Sequence, residues 1–311
     1  MKRKYFTEFA VNMFGTYRLL LQQDSLSDPN MVSSLPEVPF HIYMIGRRPR
    51  IGFDATTFRF LPDTVSGVFT IQRGAHFERH EFTTRNMLGT HEVEIVCPYP
   101  NTEYAIHDGN GKRIAGGKVA LALSGFSSEF WKFMDLEILY IGQAYGDDGS
   151  RVAPDRLKSH ETLQSIYVEA LRRSPDKEIW IVLWSFAPLL VTSFDGRTKE
   201  FQTSQSEDAE HSNRVLDFDI TEQQRINFTE AALIRYFRPE YNVVFEDSFP
   251  NPAHRTYAQC YDLDLNAICV ELQTEEIGTR LWSPAVPPQW IHIAQFELHS
   301  RADRVSIFDL A

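Results

Sequence analysis

The apolar run from Ile179 to Phe186, IWIVLWSF, predicts a strand covered on both faces. Beyond it the period changes. Ile226, Glu230, Leu233 and Phe237 fall four, three and four residues apart, one face of a helix. Thr221 and Gln224 form a capping-box start for that helix, and Pro239 stops it. Leu163, Ile166, Tyr167, Ala170 and Leu171 repeat the helical period earlier, with Asp155 as cap after Pro154. Phe130–Phe133 and Ile138–Gly142 read as paired strands, followed by a Gly/Asp-rich loop from Ala144 to Pro154.

The flanks read as β-rich. Short runs at Phe40–Ile45, Gly67–Gln72, His91–Val96, Glu103–His107 and Lys118–Leu123 predict strands, with a hairpin turn at Asp108-Gly109-Asn110-Gly111. After Ile179–Phe186, Leu189–Phe194 and Thr198–Thr203 suggest a hairpin, and Ser204–Asn213 a polar surface excursion. Tyr241–Phe245, Thr256–Leu263, Ala267–Leu272, Trp290–Glu297 and Arg304–Phe308 predict further strands. The expected fold is α+β: a small mixed sheet flanked by helices at 125–250, with additional β-rich regions at 1–124 and 251–311. The last region is short for an independent core and is expected to pack with the first.

Composition narrows this picture only a little. A hydrophobic content of 43% suits a globular chain, and the net charge of -11 argues against a polycation coating nucleic acid. A local basic groove remains compatible with that charge. Three scattered cysteines exclude a disulfide framework and point to reduced thiols. Glu8, Asn12 and Arg18 interrupt the first apolar stretch, so no signal peptide is expected. No apolar run is long enough for a membrane helix, and a cytoplasmic protein without membrane contact is expected.

Four features carry chemistry. Tyr140-Ile141-Gly142 ends a strand; Arg156 and His160 lie four apart at the start of the next helix; Glu230 takes a core-facing slot; Pro239 is followed by Tyr241-Asn242. A helix start favours anions, and a buried carboxylate needs a compensating charge. In this order, and above all in EAALIRYFRPEYN at 230–242, the elements resemble the GIY-YIG nuclease superfamily. The resemblance implies a metal-dependent endonuclease acting on DNA, with RNA the second choice. It implies Mg²⁺, or another divalent cation such as Mn²⁺, on Glu230, with Arg156 holding a non-bridging phosphate oxygen. Tyr140 or His160 would orient or deprotonate water, Gly142 belongs to the motif, and Asn242 would fix the site by hydrogen bonding.

The chain departs from the family pattern at one point. The Gly-Ile-Tyr expected shortly before Tyr140 is replaced by Gly125-Phe126-Ser127-Ser128, without a tyrosine. Either Tyr140 or His160 takes over its work, or the module is catalytically degenerate and binds nucleic acid or protein. His41-Ile42-Tyr43 echoes the missing motif but lies far upstream and reads as an ordinary strand. Arg47, Arg48 and Arg50 could form a phosphate patch; a solvated loop is the preferred reading.

Overall fold

Strands from both ends of the chain converge on the apolar run at 179–186. The structure is a computed structural model that describes residues 3–28, 38–144, 157, 161–194, 196–242, 249–250, 255–300 and 303–307. In chain order, β1 (Glu8–Leu21) and β2 (Ile42–Pro49) come first. Then come β3 (Ile51–Phe60), β4 (Thr64–Arg73) and β5 (His76–Arg85), which form a three-stranded sheet. A second such sheet consists of β6 (Val93–Val96), β7 (Glu103–Asp108) and β8 (Arg113–Lys118). Next are α1 (Val119–Phe126), β9 (Leu136–Gln143), α2 (Glu161–Arg173) and β10 (Lys177–Ser193). Helices α3 (Gln205–Leu216), α4 (Glu222–Phe237) and α5 (Arg255–Asp262) precede four last strands. These are β11 (Ala267–Gln273), β12 (Leu281–Ser283), β13 (Val286–Gln289) and β14 (Ile291–Glu297).

The main sheet has eight strands in the order β13-β12-β9-β2-β10-β1-β11-β14. This corrects the expected fold. The protein is mostly β, 44% strand against 26% helix, and the sheet is large, nearly closed and barrel-like instead of small and flanked by helices. The reason is β1, a long and mostly buried strand whose register with β10 runs from Glu8↔Ser193 to Leu21↔Ile181. The sheet draws strands from 1–124, 125–250 and 251–311 alike, so those boundaries do not separate sheets.

Period-2 alternation gives the sheet two buried faces. Ile42, Met44, Trp180, Val182 and Trp184 join Ile226, Phe228, Leu233 and Phe237 of α4 in the larger core. Tyr43, Ile45, Ile179, Ile181 and Leu183 join Leu163 and Ile166 of α2 in the second.

Several local expectations change as well. Lys118–Leu123 is not a strand: Val119, Ala120 and Leu123 are the buried positions of α1, at helical spacing. Phe130–Phe133 lies in a short 3-10 helix, and Thr256–Leu263 falls largely in α5. Ser204–Asn213 is a helix, because Ser204 and Glu207 form a capping box. The hairpin expected after Phe186 is a continuation of β10 against β1. Arg304–Ile307 is not in a strand, while Phe308 and 243–248 lie outside the described residues. Among the described residues no helix is long and apolar enough to cross a membrane.

A buried polar network fastens the two ends of the chain. β11 runs parallel to β1, and Asn266 donates its backbone N–H to the Phe9 carbonyl at 2.7 Å. Fully buried Glu8 accepts from Arg304 Nε at 3.0 Å and Asn266 Nδ2 at 3.2 Å. Arg304 Nη1 reaches Asp264 Oδ1 at 2.7 Å, and Tyr5 Oη donates to Asp264 Oδ2 at 2.8 Å. Truncating one partner of such a pair strands the other charge, at a cost of about 3–5 kcal/mol.

Two groups make stability sensitive to acid. Burial pushes the His292 imidazole, against Phe237, down to about 4. Between the unfolded histidine value of about 6.5 and about 4 the unfolded chain binds a proton that the native one does not, so stability falls as pH drops. Burial alone would raise Asp264, but hydrogen bonds from His299, Lys4 and Tyr5 and the Arg304 charge hold it well below the usual carboxylate range. Its contribution is therefore present above about pH 4 and lost below it. Urea midpoints measured down the pH scale are expected to fall in two stages, and His292→Gln to shrink the upper stage, to which His211, also lowered by burial, contributes, while sparing the lower.

Candidate active site

The strand carrying Tyr140-Ile141-Gly142 is β9, and its neighbour in the sheet is β2. The antiparallel register pairs Tyr43 with Gly142, Met44 with Ile141 and Ile45 with Tyr140. After Ile45 the register shifts, so that Gly46 faces Ile138 and one extra β9 residue is accommodated. Leu139 and Tyr140 both pack in the second core, the side that Tyr43 faces. The Tyr43 and Tyr140 rings lie 6.2 Å apart, inclined by 37°. Gly142 makes this possible: a Cβ there would sit 2.5 Å from Tyr43 Oη and 2.8 Å from Tyr140 Cε1. The glycine requirement is steric, since the Tyr43 hydroxyl lies directly over the strand.

Asn242 arrives at the outer edge of the same strand. α4 ends on Arg238 in the left-handed region at φ 47, and Pro239 prevents a further turn. Tyr241 then donates its backbone N–H to Leu139 O at 3.0 Å. The Asn242 side chain accepts from Ile141 N and donates to Ile141 O, both at 2.8 Å. A carboxamide thus pairs with β9 as a neighbouring strand would, continuing an edge that β12 covers at Leu136 and Glu137. Tyr241 Oη donates to Glu169 of α2, tying the turn to the helix on the second core.

Glu230 lies on α4, half-buried between Ile226 and Leu233, with Thr229 and Ala231 buried on either side. One half-buried carboxylate is sparse, but it matches a hard cation that keeps most of its shell as water and phosphate oxygen. Among the described residues no group of three or more His, Cys, Asp or Glu could hold a metal ion. Arg156 and His160 lie outside the described residues. Leu157, between them, is buried in the second core, and its carbonyl accepts from Gln23 Nε2 at 3.2 Å.

The structure thus brings Tyr140, Gly142 and Asn242 together on β9, but not Glu230, whose helix α4 packs in the larger core while Tyr43 and Tyr140 face the second. It adds Tyr43, which sequence reasoning set aside although the tripeptide His41-Ile42-Tyr43 was visible. His41 reaches Ala144 O through Nδ1 at 2.7 Å and lies 3.4 Å from Glu222 of α4. The three arginines on either side of Pro49 do not form a solvated loop. Arg47 pairs with Glu137 through two hydrogen bonds of 2.7 and 2.9 Å. Arg48 is buried with its guanidinium 3.8 Å above the Trp180 ring, and Arg50 lines a separate cavity of about 560 Å³.

Comparison of the chain with models of protein families, with curated proteins and with solved structures finds no match.

Three substitutions test this geometry. Gly142→Ala is expected to cost about 1–3 kcal/mol through overpacking against Tyr43. Asn242→Ala is expected to cost about 2 kcal/mol by orphaning the Ile141 amide. Asn242→Asp keeps an acceptor for Ile141 N but sets a carboxylate against Ile141 O, so its denaturation midpoint is expected at or below that of Asn242→Ala.

Proposed function

We propose that the protein is a metal-dependent endonuclease of the GIY-YIG kind, hydrolysing phosphodiester bonds in DNA by attack of water on phosphorus. One observation carries the reading. The tyrosine lacking before Tyr140 in the contiguous sequence has a counterpart in Tyr43, whose ring approaches Tyr140 over the space left by Gly142. On this reading the two hydroxyls orient the attacking water and relay its proton. Arg156 holds a non-bridging oxygen, and His160 assists the proton transfer. Asn242 is a positioning residue, acting on Ile141 and not on substrate. Glu230 would hold Mg²⁺ or Mn²⁺, which supplies charge stabilisation for the phosphate and the leaving oxygen. The free thiols Cys97, Cys260 and Cys269 agree with a cytoplasmic setting.

A second reading keeps the arrangement and drops catalysis. Tyr43 is 0% exposed, which favours a module that binds nucleic acid without cutting it. A cleavage assay with Mg²⁺ on DNA and RNA separates the two. The wild type is expected to cleave, Tyr43→Phe to lose about 10²–10⁴-fold, and Glu230→Gln to lose activity while keeping its fold. Undiminished cleavage by a folded Glu230→Gln protein would sink the mechanism. A wild type inert on every substrate would select the binding module.

A further inference from the structure

The stretch between β2 and β9 forms two small sheets, and one of them has an open polar face. In β4 the alternation sends Val65, Phe69 and Ile71 inward and leaves Ser66, Thr70 and Gln72 half-exposed. The inward face is closed by aromatic packing, with Phe53 5.8 Å from Phe82 and Phe58 5.5 Å from Phe82. A groove of about 720 Å³ crosses the outward face, lined by the hydroxyls of Thr56, Thr57, Ser66 and Thr83 and by Arg59 and Arg79. Arg59 stands opposite Ser66 from β3, and Arg85 opposite Thr64 from β5. The two arginines straddle β4, about 10 Å apart across the sheet.

Charge and hydrogen bonding set what this face can take. Arg79 is paired with Asp54 at 2.7 Å. Arg59 and Arg85 are exposed and make no hydrogen bond or ion pair among the described residues, and Glu81 is the opposing charge in the groove. A face meant for a protein core would be apolar; Thr56 and Thr57 donate their hydroxyls to Asp54, but this face still offers guanidinium forks and the hydroxyls of Ser66 and Thr83, groups that grip phosphate oxygens. On a chain of net charge -11 it is a local exception. We infer that the outward face of β3-β4-β5 is a docking surface for the phosphodiester backbone of duplex DNA. The inference rests on the nucleic-acid reading above and assigns the backbone contact to this inserted sheet.

The test is binding of a labelled short DNA duplex to the full chain by fluorescence anisotropy across salt concentrations, without divalent metal so that cleavage is silent. Arg59→Glu and Arg85→Glu are each expected to weaken binding about ten-fold and to lower the slope of log K against log salt by about 1. Glu81→Gln should tighten it. Arg73→Glu makes the same charge change on the opposite face of β4 and is expected to leave binding unchanged. Melting temperatures matching the wild type check that the fold is kept. Wild-type affinity in both the Arg59 and the Arg85 variant, equal loss in Arg73→Glu, no binding by the wild type, or equal competition by poly-glutamate would each overturn the assignment. Cleavage with Mg²⁺, run separately, keeps the two readings apart. Groove-dependent binding without cleavage leaves the surface standing and removes the nuclease; cleavage by a wild type whose binding ignores Arg59 and Arg85 does the reverse.

Discussion

Everything in the candidate site depends on the antiparallel seam between β2 and β9. Strand β2 is hydrogen-bonded on both edges, to β10 on one side and β9 on the other. With Ile181↔Ile45 fixing the first register and Tyr43↔Gly142 the second, no slip of one residue is available. A slip would turn Tyr43 and Ile45 toward α4 and expel Ile42 and Met44 from the larger core. The closeness of the two tyrosines is therefore enforced by apolar burial along the whole strand, and Gly142 supplies the room at the point of contact.

The seam tolerates a long interruption. Everything from β3 to the 3-10 helix at Ser128–Phe133 lies between its two strands. Closure entropy grows only with the logarithm of loop length, so each doubling of that connection costs about 0.6 kcal/mol. The inserted chain recovers this by folding on its own account. Phe53, Phe69, Ile71 and Phe82 from its first sheet join the same core as α4. The inserted chain is thus distant from the seam in sequence and a neighbour of it in space.

Legibility in the sequence followed the range of each interaction. The buried strand at Ile179–Phe186, the capping box at Thr221 and Gln224, and the hairpin around Gly111 at φ 78 are local, and their residue types announce them. The capping box at Ser204 and Glu207 was equally local, but its helix buries only His211 and Val215 and offers little apolar stripe to see. At Val119–Phe126 an unbroken apolar run has no period, and helix and strand look alike until the core decides. Pairing is another matter. Nothing local in Glu8–Leu21 says that it will run along Ile181–Ser193, and two of its interrupting polar residues serve the fold. Glu8 is buried on Arg304, and Arg18 pairs with Glu276. The approach of Tyr43 to Tyr140 was hidden for the same reason: the two are neighbours only through the pairing of β2 with β9.

The distribution of arginines links fold to function most directly. Arg47 is committed to Glu137, Arg280 to Asp135 through two hydrogen bonds of 2.7 Å, and Arg304 to Glu8 and Asp264. Arg48 is buried on Trp180, where desolvation lowers it to about 10. An arginine so placed has already exchanged water for protein, and recruiting it to a phosphate would break a buried contact before making a new one. Among the described residues the exposed Arg59 and Arg85 side chains have no such contact to surrender. An acidic protein can meet a polyanion only where cations are left uncommitted. In this chain the main sheet uses its arginines to hold strands together, and the inserted sheet, whose core is aromatic, leaves two of them facing outward.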